Sequence, residues 1–253
     1  MKKQHITMLA ASVLGAAVAN GTLLVHYTFD GGDAANSGSL NDGTAVGGTT
    51  FVEGRSGLAF SGNRNGANDA YIQTGYSGTE LGLGPDSVYT AMAWVNWTGG
   101  GGNVDHMVFG QEDGPGNTAM LHHGIRDDSA ANVHYGGWGN DLNDAGTVVP
   151  GEWTHLAFSY DGFDKVVFVN GVETSRGVGG TMSGHVLPVI IGGHGRDAAD
   201  PAGNSFNGLI DDVKMFDTAL DAAGVLAASQ GIPEPSSIGL LALAGLGLLR
   251  RRR

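Results

Sequence analysis

The sequence predicts an all-β fold, a two-sheet antiparallel jelly-roll sandwich with one short C-terminal helix. Three observations support this prediction. Glycine makes up 45 of the 253 residues and falls in pairs and clusters that mark turns. Short runs rich in β-branched and aromatic residues lie between these turns, as strands do. The chain has no cysteine, so a domain of this size must be stabilised by its hydrophobic core rather than by disulfides.

The predicted strands are short and follow one another along the whole central region, as in a double-sheet jelly roll. They cover residues 23–29, 58–60, 71–74, 88–97, 106–110, 119–125, 132–138, 153–160, 165–170, 187–191 and 209–216. Asn170-Gly171 predicts a tight hairpin, because both residues tolerate the positive φ of such a turn. Residues 218–229 have Ala and Leu at helical spacing, and Gly231 marks the helix end. The large side chains expected in the core are Trp94, Val95, Trp153, Leu156 and Phe158.

The N-terminus has the features of a secretory signal peptide. Lys2 and Lys3 precede an apolar stretch at residues 6–18, and small residues follow in the pattern that signal peptidase accepts. We therefore expect residues 1–19 to be a signal peptide cleaved after Ala19. A hairpin of two membrane helices is the alternative, and it is disfavoured because this run and the one at the C-terminus are both short.

The C-terminus combines a Pro-Glu-Pro motif, an apolar run at residues 238–249 and a basic end. Its marker residues are Pro233, Glu234, Pro235, Arg250, Arg251, Arg252 and Arg253. The twelve-residue run is shorter than the roughly 20 residues that span a bilayer, and the arginines would stay on the cytoplasmic side. This order resembles the PEP-CTERM sorting signal. The resemblance implies transient insertion of this apolar helix in the inner membrane, cleavage by an exosortase-like protease, and delivery to the cell surface or extracellular matrix.

Charge narrows the possible partners of the region between these two segments. Residues 20–231 are expected to form one jelly-roll domain, with residues 232–253 as the sorting segment. Without the two terminal segments, 7 basic and 24 acidic residues remain, for a net charge of −17. Nucleic acid is excluded as a partner, because phosphate binding needs a basic surface. Excess acid favours solubility and calcium binding.

Several segments of this region resemble LamG-like, concanavalin A-like jelly-roll domains. They are VHYTFD at 25–30 with NSG at 36–38 and NDGT at 41–44, TAMAWV at 90–95, GEWTHLA at 151–157 with YDG at 160–162, FVNG at 168–171, and FNGLIDDVKMF at 206–216. The resemblance implies a structural Ca²⁺ on the convex side, where the first and last strands meet. Asp30 and Asp211 are the expected ligands, with Asn41 and Asp42 as weaker candidates. Asp30 could instead simply start the turn that follows it.

A second group of polar residues follows two predicted strands and predicts a ligand site. Its members are His122, Arg126, His134, Trp138, Asn140 and Asp141. Strand alternation puts His122 and Arg126 on one face, and His134 and Trp138 on one face of the next strand. An aromatic ring for stacking and planar polar groups for hydroxyls suit a polysaccharide or glycoconjugate. Zinc is disfavoured because the ligand spacing of zinc sites is absent, and a histidine here could instead satisfy a buried polar position.

Catalysis is not expected. Glycosidases need two carboxylates across the scissile bond, and the Glu-x-Asp-x-x-Glu pattern of laminarinase-like relatives does not occur. The sequence also lacks a Gly-x-Ser-x-Gly elbow and a cysteine nucleophile. The predicted function is therefore non-catalytic, lectin-like carbohydrate binding at the cell surface. The alternative is a structural matrix protein without a small-ligand site, and a glycoside hydrolase or polysaccharide lyase is less favoured.

Overall fold

A computed structural model gives the fold of most of the central region. It describes residues 21–62, 70–78, 80–81, 88–99, 104–112, 120–127, 131–136, 141–143, 145–178, 188–193 and 205–231. The predicted signal peptide, the sorting segment, Trp138 and Asn140 lie outside these residues. No helix within the described ranges is long and apolar enough to cross a membrane.

The described parts of the chain form fourteen strands and one helix. They are β1 Leu23–Tyr27, β2 Thr44–Val46, β3 Thr50–Glu53, β4 Leu58–Gly62, β5 Tyr71–Ser77, β6 Tyr89–Trp97, β7 Val104–Glu112, β8 Met120–Asp127, β9 Asn132–Gly136, β10 Trp153–Tyr160, β11 Asp164–Val169, β12 Val172–Val178, β13 Pro188–Ile191, β14 Gly208–Phe216 and α1 Ala222–Ser229. The predicted fold class is confirmed.

The strands form two antiparallel sheets. The eight-stranded sheet has the order β12-β11-β10-β6-β14-β4-β3, and β1 also pairs with β14. The six-stranded sheet has the order β2-β5-β13-β7-β8-β9. One edge of β14 pairs with β6, and the other is shared, because residues 208–210 pair with β4 and residues 213–216 pair with β1. Between these partners β14 has a bulge relative to β6, between Asp211 and Lys214, and Asp212 within it has φ +49°.

The main core lies between the sheets and follows strand alternation. Val95, Leu156 and Phe158 are fully buried in it, as predicted. The prediction for Trp94 and Trp153 is wrong, because both are only half-buried. Neighbouring residues of a strand point to opposite faces of the sheet. Val95 points into the core, so the ring of Trp94 lies on the outer side of the eight-stranded sheet.

A second, smaller core lies on that outer side, under α1. It consists of Met92, Ala157, Val166, Phe168, Phe216, Leu220, Val225 and Ala228. The helix starts later than predicted because Asp221 is its N-cap, and Asp221 Oδ1 accepts a hydrogen bond from Gly224 N at 2.8 Å. It ends at Ser229, and Gly231 follows at φ +65°.

The Asn170-Gly171 turn was predicted correctly, whereas the strands β2 and β3 were missed. Asn170 and Gly171 have φ of +52° and +78°, and they join β11 to β12 as predicted. The strands β2 and β3 were not predicted. Both are short and largely exposed, so they lack the apolar alternation that indicates a strand.

Candidate functional site

The first candidate site is a group of polar side chains on the outer face of the six-stranded sheet. The register of β7, β8 and β9 places Asp105 opposite Arg126, and His134 opposite Gly124. His122 and Arg126 are two residues from Gly124 on either side, so all these side chains share one face. The loop after β9 adds two more polar residues. We call the following residues the polar cluster: Asp105, His122, Arg126, His134, Asp141 and Asn143.

Arg126 is the centre of the polar cluster. Its Nε donates to Asp105 Oδ1 at 2.9 Å, and its Nη2 donates to Asp105 Oδ2 at 3.3 Å. Its Nη1 donates to Asn143 Oδ1 at 2.9 Å. Such a two-pronged contact fixes the plane of the guanidinium as well as its position. The charged group is thus held between a strand on one side and a loop on the other.

His134 is the buried member of the polar cluster, with 1% of its side chain exposed. Its Nδ1 lies 2.8 Å from Asn143 Oδ1, an acceptor, so Nδ1 carries the proton. Its Nε2 accepts from Arg126 Nη2 at 3.4 Å and lies 3.9 Å from Asp141 Oδ1. Burial lowers the pKa of His134, and the nearby Arg126 lowers it further. The imidazole ring of His134 is therefore neutral at pH 7.

Other members of the polar cluster are more open. His122 Nε2 lies 3.6 Å from Asp105 Oδ2, and its ring meets that of His134 edge-on with centroids 5.2 Å apart. Arg126 and Asp141 each expose 28% of their side chains, and Asn143 is exposed. The polar cluster thus presents a guanidinium, a carboxylate and an amide to solvent from a buried base.

Glycine makes room for this arrangement. A Cβ added at Gly136 would lie 2.1 Å from His134 Nε2 and 2.7 Å from Asp141 Oδ1. Any side chain at Gly136 would therefore displace two members of the polar cluster.

The face of β8 and β9 that points inward carries a different polar group. His123 Nε2 and Tyr135 Oη each lie 2.8 Å from Tyr89 Oη, between the two sheets. Burial lowers the pKa of His123 well below its usual value, and the nearby Lys165 adds to this. The adjacent histidines of the His122-His123 pair therefore have separate surroundings, one at the polar cluster and one in the core.

The second candidate site is a pocket of about 190 Å³ on the outer face of the eight-stranded sheet, beside the β14 bulge. We call it the acidic pocket. It is lined by Thr28, Asp30, Arg55, Ser56, Asp211, Asp212, Ser229, Gln230 and Gly231.

Two carboxylates of the acidic pocket hold the turn between β3 and β4. Asp211 Oδ2 accepts from Arg55 N at 2.9 Å and from Ser56 N at 3.2 Å. Asp30 Oδ1 accepts from Leu58 N at 3.0 Å. Burial raises the pKa of Asp211, although these peptide donors act in the other direction.

The third carboxylate of the acidic pocket, Asp212, contacts a histidine and a lysine. Its Oδ1 lies 2.7 Å from His26 Nε2, and its Oδ2 accepts from Lys214 Nζ at 2.6 Å. Burial alone would raise the pKa of Asp212, but these two partners more than offset it and lower the pKa. Lys214 Nζ also donates to Ala228 O at 2.9 Å, which ties the end of α1 to β14.

Trp94 closes the helix end of this region. Its Nε1 donates to Ser229 O at 3.2 Å, and the guanidinium of Arg55 lies 3.7 Å from its ring centroid. The buried His155 meets the Trp94 ring edge-on, and burial lowers its pKa to about 3.

Comparison with protein families identifies the fold. A model of the Laminin_G_3 family, described as the concanavalin A-like lectin/glucanases superfamily, matches residues 65–226, more than half of the chain. The chain belongs to the concanavalin A-like lectin/glucanase superfamily. A PEP-CTERM protein-sorting motif matches residues 231–253. This motif indicates export and sorting to the cell envelope, and it implies processing by an exosortase-type system.

Solved structures agree with this lectin/glucanase fold. Domain 4 of AbnA, a GH43 extracellular arabinanase from Geobacillus stearothermophilus in complex with arabinotriose, has a TM-score of 0.60 at 25% identity; the match covers 82% of this chain and 98% of that one. The binding domain of Paraclostridial Mosquitocidal Protein 1 has a TM-score of 0.61 at 14% identity, covering 81% of this chain and 51% of that one.

A third structure is of botulinum neurotoxin type C, whose cell entry depends on interaction with two ganglioside molecules. It has a TM-score of 0.60 at 8% identity, and the match covers 83% of this chain and 51% of that one. The chain thus spans about half the length of these two toxin structures, whose likeness shows the fold alone. Comparison with curated proteins finds no sequence match.

Within this lectin/glucanase domain, the predicted metal residues divide into two places. Asp30 and Asp211 both line the acidic pocket. Asn41 and Asp42 are not among its lining residues. Asn41 N donates to Tyr76 Oη at 2.8 Å, and Asp42 Oδ1 accepts from Asn36 N at 2.8 Å. In the described residues, no group of three or more His, Cys, Asp or Glu side chains is arranged to hold a metal ion.

The predicted ligand residues are brought together more completely. His122, Arg126, His134 and Asp141 meet in the polar cluster, while Trp138 and Asn140 lie outside the described residues. Sequence reasoning missed Asp105 and Asn143. Asp105 lies beside Arg126 because of the pairing register between β7 and β8, and strand alternation does not predict that register. Asn143 enters through a loop that returns to β9 at the Tyr135–Leu142 bridge.

Proposed function

We propose that this protein is an exported, non-catalytic carbohydrate-binding protein of the cell surface, with the polar cluster as its glycan site. The observation that carries the proposal is the hydrogen-bonded set of Asp105, Arg126 and Asn143. Planar donors and acceptors held rigid by one another, partly open to solvent, are suited to the hydroxyls of a sugar. The similar domain 4 of AbnA was solved in complex with arabinotriose, which supports this substrate class.

The arrangement of the carboxylates favours binding over hydrolysis. Asp105 directs both of its oxygens at the guanidinium of Arg126. A glycosidase instead presents two carboxyl groups toward the scissile bond, one of them as a proton donor. Asp105 therefore acts here as a positioning group for Arg126.

Glycan binding by the protein purified from the cell surface or medium tests this proposal. We expect wild type to bind a polysaccharide or oligosaccharide on a glycan array, and Arg126→Ala to weaken that binding at least about tenfold, roughly 1.4 kcal/mol. Arg176→Ala is the matched control, because Arg176 also pairs with carboxylates but lies on β12. Equal binding by Arg126→Ala and Arg176→Ala would contradict the assignment, and a wild type that binds no glycan would favour a matrix protein.

We also propose that the acidic pocket holds a structural Ca²⁺ through Asp30 and Asp211. Its lining residues supply carboxylate, hydroxyl and backbone oxygens, the donors that calcium prefers. Because two side chains are too few for a full shell, backbone and water oxygens would complete it. This proposal also applies if the protein serves only as matrix structure, since a bound ion would join the segment after β1, the strand β14 and the β3–β4 turn.

Thermal melting with calcium or EGTA tests the metal. We expect added Ca²⁺ to raise the Tm of wild type and of Asp33→Asn, an exposed acid near Asp30 that does not line the pocket. Asp211→Asn should lose this shift, although its amide oxygen can still accept from the peptide donors. A wild-type melting curve that is the same in Ca²⁺ and EGTA would exclude the ion.

Processing of the termini is proposed as predicted from the sequence. Cleavage after Ala19 and near Pro233 to Pro235 would release or re-anchor the folded domain outside the inner membrane. The intact mass of the protein from its native fraction should lack both terminal segments. A full-length mass would contradict this route.

A further inference from the structure

The guanidinium of the polar cluster is already committed to a carboxylate of the same chain. Both arms of Arg126 that face Asp105 are within 3.3 Å of its oxygens, and the remaining nitrogen donates to Asn143. Sites that recognise an anionic sugar offer a cation whose donors bind the ligand carboxylate directly. Here an incoming carboxylate would have to displace Asp105, and this would leave a half-buried charge without its partner.

The charges of the polar cluster also disfavour an anionic ligand. Its members include one guanidinium, which is paired with Asp105, and a second carboxylate, Asp141, whose side chain is 28% exposed. An anionic ligand would therefore approach a carboxylate that faces solvent. The domain as a whole adds to this, because it carries a net charge of −17 between its terminal segments. Repulsion between like charges disfavours the binding of an anionic ligand.

We propose that the polar cluster selects neutral, hydroxyl-rich glycans and rejects acidic ones such as uronate-containing polymers. This inference rests on the proposed glycan-binding function. Hydroxyl groups donate to carboxylate oxygens and accept from amide N–H groups, and the polar cluster exposes the carboxylate of Asp141 and the side-chain amide of Asn143. A neutral sugar can therefore bind without breaking the ion pair between Arg126 and Asp105.

Matched polymer pairs test this selectivity. Several neutral polysaccharides are each compared with the same polymer after selective oxidation of its primary hydroxyls to carboxylates. We expect the protein to bind at least one neutral polymer and to bind its oxidised form about tenfold more weakly or not at all. Equal or tighter binding of the oxidised form would overturn the inference and leave the glycan-binding function intact. No binding to either member of any pair would overturn both.

A variant pair separates the local effect of the polar cluster from the overall charge. Asp105→Asn and Asp164→Asn each remove one negative charge, and each removed carboxylate is paired with an arginine, Arg126 or Arg176. We expect Asp105→Asn to raise affinity for the oxidised polymer several-fold relative to the neutral one, since the guanidinium then lacks an anionic partner. Asp164→Asn should leave this ratio unchanged. The same ratio in both variants would show that the net charge, and not the polar cluster, sets the preference.

Discussion

On the outer face of the eight-stranded sheet, α1 covers Met92, Phe168 and Phe216, whereas the outer face of the six-stranded sheet carries Asp105, Arg126 and His134. Both faces are formed by alternate residues of antiparallel strands, so backbone geometry does not explain the difference. One face is apolar and is covered by the chain's own helix. The other is polar, and its charges are compensated mainly by one another.

This contrast separates stability from binding. An apolar face under a helix contributes to folding through burial, and the acidic pocket lies at the end of that helix. A polar face with mutual hydrogen bonds contributes less to folding, but it holds donors and acceptors in fixed positions. Variants on the two faces should therefore affect different measurements.

The largest expected effect on stability is at Phe168, under α1. Phe168→Ala should lower the free energy of unfolding by about 3–5 kcal/mol, because a buried aromatic ring is lost and a cavity remains. Denaturant unfolding measures this. Leu226→Ala on the exposed side of α1 is the control and should cost much less. Glycan affinity of folded Phe168→Ala should match wild type, and a loss of affinity would mean that the two faces are coupled.

The next effect is a loss of stability in mild acid. In the folded protein burial keeps the pKa of His155 at about 3, and it also lowers those of His123 and His134. Below about pH 6.5 the unfolded chain binds protons that the folded chain does not, so stability is full above this pH and falls toward pH 3. Each such histidine contributes a slope of up to about 1.4 kcal/mol per pH unit.

Unfolding between pH 7 and pH 5 measures this slope. His155→Gln, which does not titrate, should flatten it by one histidine's share. A slope that is the same in wild type and His155→Gln would show that His155 takes up its proton in the folded state.

A smaller effect is expected at the start of α1. Asp221→Ala should cost about 1 kcal/mol, because the side chain no longer caps the Gly224 amide. Asp221→Asn retains an acceptor and should cost less. Thermal unfolding of the two variants measures the difference. Equal losses would indicate that the charge of Asp221, and not its hydrogen bond, supports the helix.

The sequence predicted those parts of the fold that depend on local pattern. Most strands, the Asn170-Gly171 turn and the C-terminal helix follow from apolar spacing and turn residues. The orientation of Trp94 was mispredicted, since the helix that covers part of its face is distant in sequence. The edge strands β2 and β3 were missed because exposed strands carry little apolar signal.

The candidate sites could be predicted only in part. Alternation put His122 and Arg126 on one face of β8, and the pairing of β8 with β9 added His134. The partner that fixes Arg126, Asp105, depends on the register between β7 and β8. Register is set by long-range packing and not by the residues of one strand, so the charge balance of the site was not visible in the sequence.

Glycan is expected to bind the polar cluster and not the helix-covered face. Titration of the isotope-labelled protein with a neutral oligosaccharide, followed by amide chemical shifts, tests this most directly. We expect concentration-dependent shifts at Asp105, Arg126, His134 and residues 141–143, with the amides of α1 and the β3–β4 turn unchanged. Shifts confined to α1 and the acidic pocket, or none at saturating sugar, would contradict it.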